Sequence, residues 1–63
     1  MPDIVVNEKT RTIHFVGGSH SVFHDVVWFN ADGTFLRLGC KEGYVLINTK
    51  NILYMVVNGD RVK

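Results

Sequence analysis

The segment Ser19-His20-Ser21-Val22-Phe23-His24-Asp25-Val26-Val27-Trp28-Phe29-Asn30 fits two secondary structures, and the choice separates an all-β chain from an α+β one. As a helix at about 19–30 it has Ser19 as N-cap, with Val22, Phe23, Val26, Val27 and Phe29 in an arc of roughly 160° at 100° per residue. Its β-branched valines and its aromatic and imidazole rings favour an extended backbone instead, and the Asp32-Gly33 turn that follows wants a strand on each side. The strand reading, Val22 to Phe29, is the one the residues support better. The helix remains the alternative, one that would cover a sheet face.

Outward from this segment the punctuation is regular: Gly17-Gly18, Asp32-Gly33, Glu42-Gly43, Asn51 and Asn58-Gly59. Between these marks lie short runs rich in Val, Ile, Leu, Phe and Tyr, the spacing of a β-meander. Asn30-Ala31-Asp32-Gly33-Thr34 and Cys40-Lys41-Glu42-Gly43-Tyr44 share one design, a type I turn followed by a glycine at positive φ. Asn58-Gly59 is a two-residue hairpin signal, with Asp60 to Lys63 as a short return strand or tail. The expected strands are Ile4 to Val6, Thr10 to Val16, Val22 to Phe29, Thr34 to Gly39, Tyr44 to Asn48 and Ile52 to Val57. They make one all-β domain, 1–63: a small meander of five to six short antiparallel strands, open or closed as a small barrel.

The last two strands are apolar on both sides. Tyr44 and Leu46 alternate with Val45 and Ile47, and Ile52, Tyr54 and Val56 alternate with Leu53, Met55 and Val57. A strand of this kind must be covered on both faces. A chain of 63 residues has little to cover it with, since below about 70 residues one core supplies only roughly 3–5 kcal/mol. A disulfide within the chain is excluded because Cys40 is the one cysteine, and a lone thiol without a signal peptide fits a reducing, cytoplasmic setting. The economical stabiliser is a second copy. Tyr44, Leu46, Ile52, Leu53, Tyr54, Met55 and Val57 are the expected self-interface of a dimer or larger homo-oligomer.

Seven Lys and Arg stand against six Asp and Glu with the signs interspersed. The absence of a basic block disfavours binding driven by phosphate neutralisation. No run of 18 apolar residues marks a membrane span.

Three histidines, His14, His20 and His24, with Asp25 and Cys40, are the conceivable metal set. In a helix His20 and His24 would lie one turn apart, a ligand spacing; in a strand they share a face about 13 Å apart, too far to share an ion. They stay weak candidates, and no metal or other cofactor is expected. Cys40 at a strand end reads as a small hydrophobe rather than a nucleophile. Gly17-Gly18-Ser19 lacks the Lys-Ser/Thr ending of a phosphate loop. An enzyme is not expected.

Most of the seven aromatic rings belong to the core of so small a domain. Trp28 and Tyr44, beside turns, are the exceptions. With Arg37 and Lys50 they form the expected partner-binding set, with another protein as the expected partner.

Leu46-Ile47-Asn48-Thr49-Lys50-Asn51-Ile52-Leu53-Tyr54-Met55 resembles the closing strand-turn-strand of Sm-like proteins, where the turn forms the subunit edge and an RNA-contacting loop. The resemblance covers about ten residues, and the glycine characteristic of that turn is missing here. Trp28 to Leu36 is similar to the hairpins of β-propeller blades. Both are hairpin physics, and neither assigns a family.

Three functional expectations follow. The first is a non-catalytic homo-oligomeric module that binds a protein or regulates one. The second is a small barrel binding single-stranded RNA or DNA through Trp28, Tyr44, Arg37 and Lys50. The third is a small-ligand site at subunit boundaries. The compact design is compatible with a phage or accessory-element protein.

Overall fold

The structure, a computed structural model, describes residues 3–59. It is all-β. Strands β1 (Ile4–Phe15), β2 (His20–Ala31), β3 (Phe35–Cys40), β4 (Gly43–Asn48) and β5 (Ile52–Asn58) form one antiparallel sheet in the order β4-β3-β2-β1-β5. A 3-10 turn at Thr49–Asn51 joins β4 to β5.

The ambiguous segment is extended, and the helix at 19–30 is not formed. Tertiary pairing decides it: β2 lies against β1 from His20 to Phe29 and against β3 from Trp28 to Ala31. One local feature breaks its regularity. Asp25 adopts φ +53°, the left-handed region that a short polar side chain tolerates better than a β-branched one. Against β3, Val26 and Val27 then go unmatched before Trp28 meets Gly39, so the strand bends there.

The first two expected strands are one. Ile4 to Val6 and Thr10 to Val16 merge into β1 because Asn7, Glu8 and Lys9, polar enough to suggest a break, form a register shift between Val5 and Glu8 instead. A bulge bends a strand without ending it.

These bends curl the sheet. Five flat strands would hold their outer two about 19 Å apart at 4.8 Å per step, whereas Asn48 to Ile52 spans at most about 14 Å even when fully extended. The edges β4 and β5 are therefore drawn toward each other, and the sheet stays open between them. The face that closes inward buries Ile13, Val26, Leu36 and Leu38, with Phe15, Phe23, Phe29, Val45 and Ile47 packed around them.

The two matched turns close by different means. Gly43 takes φ +117° as expected, but Gly33 is not at positive φ. There the Asp32 carboxylate does the work: Oδ1 accepts from the backbone N–H of Thr34 at 2.7 Å and of Phe35 at 2.8 Å. The Asn58-Gly59 hairpin expectation also changes, since β5 runs on to Asn58 opposite Thr10. A Cβ on Gly59 would sit 3.0 Å from Asn7 O and Glu8 Cα, so the chain keeps to β1 at that point. The expected return strand, Asp60 to Lys63, lies outside the described residues.

The carboxylates at these turns predict an acid response. The N–H groups of Phe35 and Thr34, with Arg37, hold Asp32 down to about 2, and the backbone and ring of His24 hold Glu42 down to about 2. Both are depressed in the folded state. Their stabilisation is complete above the ordinary carboxylate range near pH 4 and disappears as pH falls toward about 2. Thermal unfolding followed by circular dichroism should show a midpoint that drops across that window, with a shallower drop in Asp32→Asn. An identical profile in the variant would remove Asp32 as a cause.

Candidate self-association and partner surface

Pairing registers place three of the expected partner residues, Trp28, Arg37 and Tyr44, on the outer face of the sheet. Val5, Trp28, Gly39 and Tyr44 form one cross-strand row, and Asn30, Arg37 and Leu46 form the next. The Trp28 indole lies flat on Gly39: a Cβ there would come within 1.9 Å of Trp28 Nε1, so only glycine fits beneath the ring. Tyr44 follows, its ring 5.8 Å from that of Trp28 and tilted by 32°. The result is an aromatic shelf near the β4 edge.

Arg37 borders the shelf but is already engaged. Its Nη1 donates to Asn30 Oδ1 at 3.2 Å and to Asp32 Oδ2 at 3.1 Å, and Asn30 Nδ2 donates in turn to Asp3 Oδ1. Thus Trp28, Arg37 and Tyr44 come together, while Lys50 does not join them. Lys50 sits in the Thr49–Asn51 turn, beyond the end of β4 opposite to Tyr44.

The expected self-interface falls on the two edges of the sheet. Tyr44 and Leu46 are exposed on the outer face of β4. On β5, Met55 stands opposite Ile13 and Val57 opposite Arg11, on the face that closes inward; Ile52 stands opposite Phe15. Tyr54 and Val56, opposite His14 and Thr12, face outward, and Leu53 occupies the register shift. Leu53 is 64% exposed, and every later residue of β5 is exposed as well.

Neither edge strand contains a charge or a proline. Sheet edges in soluble proteins usually carry such residues, because an unpaired row of N–H and C=O groups otherwise templates another strand. The burial balance points the same way. Among the described residues four hydrophobic side chains are buried and twelve large ones are exposed.

Two arrangements lie outside the residues singled out from sequence. On the inner face, Arg11 Nε donates to Glu8 Oε1 at 2.8 Å and Nη2 to Oε2 at 2.5 Å, a bidentate pair with both residues buried. The guanidinium sits 4.6 Å over the Phe29 ring, with Nη1 3.5 Å from Met55 Sδ. Residues three apart on a regular strand point to opposite faces; the irregular step between these two is at Lys9, whose position opposite Asp25 (φ +53°) is left out of the pairing between Glu8↔Val26 and Thr10↔His24. No periodicity signals it.

The second is the distribution of histidines. His24, with Nδ1 2.6 Å from Glu42 Oε2 and its backbone N–H donating to Oε1 at 2.9 Å, anchors the β3–β4 turn to β2. His20 instead faces His14 across the ladder, and His14 stacks on Tyr54. The two candidate ligands, His20 and His24, therefore have different neighbours. Cys40 is half-buried with its Sγ–H directed at Gly43 O, and burial pushes its thiol pKa up.

No protein-family model, curated protein or solved structure matches the chain. No helix among the described residues is long and apolar enough to cross a membrane.

Proposed function

We propose that the chain is a non-catalytic β-module that assembles with copies of itself through its uncharged sheet edges and presents the Trp28–Tyr44 shelf to a protein partner. The observation that carries this reading is β5: seven residues without charge or proline, apolar except at Asn58, at the edge of an open sheet. Strand addition there would satisfy its outward N–H and C=O groups and cover side chains on both faces together. A reduced thiol at Cys40 suits the cytoplasmic setting that forms part of the proposal.

A second reading, stacking of single-stranded nucleic acid, is favoured by the shelf having Arg37 at its border. It is the weaker of the two because Asp32 and Asn30 already engage Nη1 of that guanidinium, with Asp3 behind Asn30. One measurement addresses both readings. Light scattering at micromolar concentration should give a multiple of 7.2 kDa, unchanged when an oligonucleotide is added at low salt. A clean monomer sinks the assembly reading, and an oligonucleotide-dependent rise in mass favours the nucleic-acid one.

A further inference from the structure

We propose that His14 and His20 form a two-imidazole binding site for a transition-metal dication of the zinc, copper or nickel type. They lie directly opposite each other on β1 and β2, with ring centroids 5.4 Å apart and planes inclined by 30°. Side chains facing each other across an antiparallel pair start from Cβ atoms about 4.5–5.5 Å apart. That is close enough for two imidazoles to converge on one ion.

Three features of the site favour coordination. The Tyr54 ring covers His14 from the other side at 4.3 Å and 13°, which fixes one ligand plane and lowers the entropy lost on binding. His20 is exposed and has room to swing toward the ion. Neither imidazole is hydrogen-bonded to a protein group among the described residues, whereas His24 is held by Glu42. The flanking positions on this face, Thr12, Val22 and Val56, carry no cation to oppose a dication.

Neutral imidazole suits zinc, copper and nickel, at metal–nitrogen distances near 2.0–2.1 Å. The rings are stacked as they stand, so the nitrogen separation of about 3 Å that tetrahedral or square angles require calls for a side-chain rotation of His20 on binding. No group of three His, Cys, Asp or Glu converges among the described residues. Water therefore completes the coordination shell, and the site is exchangeable rather than structural. The site lies within one chain and does not depend on self-assembly.

Tag-free protein titrated with Zn2+ by calorimetry should bind one ion per chain, and Cu2+ should show two coordinating nitrogens by electron paramagnetic resonance. His14→Gln and His20→Gln should each lower affinity at least about tenfold, while His24→Gln leaves it unchanged. Circular dichroism checks that the variants remain folded, and the exposed position of His20 makes His20→Gln the safer one. Absence of binding at 100 µM metal, or full affinity in His20→Gln, overturns the proposal.

Discussion

Glu8→Ala should cost about 3–5 kcal/mol, as much as one core of this size supplies, because it strands the Arg11 charge inside the sheet. Both partners are buried, at 7% and 5% exposure, so solvent screens the remaining guanidinium poorly. Met55 Sδ and the Phe29 ring are weak substitutes for two charge-assisted hydrogen bonds. The pair itself contributes much less than its disruption costs. Desolvating two charges offsets most of their attraction, so replacing both at once, Glu8→Leu with Arg11→Met, should be near neutral or stabilising. A double-mutant cycle from urea midpoints measures the difference. A Glu8→Ala change below about 0.5 kcal/mol would mean that water reaches the pair.

That pair also marks where sequence stops being legible. Alternation, turn glycines and β-branched content expose the all-β meander, including the Gly43 turn and a strand over Val22 to Phe29, because each is encoded within a few neighbouring residues. Asp32 was visible as a turn residue; what escaped was that its carboxylate, rather than Gly33, closes the turn. The return of β5 onto β1 pairs Thr10 with Asn58, and no local pattern records a contact at that separation. Bulges are harder still. The positive φ of Asp25 and the shift between Val5 and Glu8 each change which residues face inward, and each arises from the need to curl the sheet. Hence Glu8 and Arg11, which no sequence pattern singles out, are buried. The histidines show the same limit: spacing along the strand sets His20 beside His24, while its neighbour in space is His14 across the turn. Among the partner residues, Trp28, Arg37 and Tyr44 share a face because strand periodicity carries through the β2–β3–β4 hairpins. Lys50 falls away because it belongs to the turn beyond them.

Placing a charge on the outward face of β5 should separate assembly from folding. Val56→Lys, alone or with Tyr54→Lys, puts cations on an edge that has none, where a second strand would have to desolvate them. Val56 is half exposed and faces Thr12, so the folded monomer should lose no more than about 0.5 kcal/mol. Association should weaken by at least tenfold to a hundredfold, about 1.4–2.8 kcal/mol, visible as a shift to monomer in sedimentation at fixed concentration. Met55→Glu and Val57→Asp should behave differently, because Met55 lies against Ile13 and Val57 against Arg11. Those carboxylates enter the inner face, where Asp at 57 would also compete with Glu8 for the guanidinium. Stability and assembly should therefore fall together. If Val56→Lys sediments as the unsubstituted chain does, the outward face of β5 takes no part in assembly. If Met55→Glu leaves stability untouched, that side chain faces solvent and the curl of the sheet at β5 is less closed than the register implies.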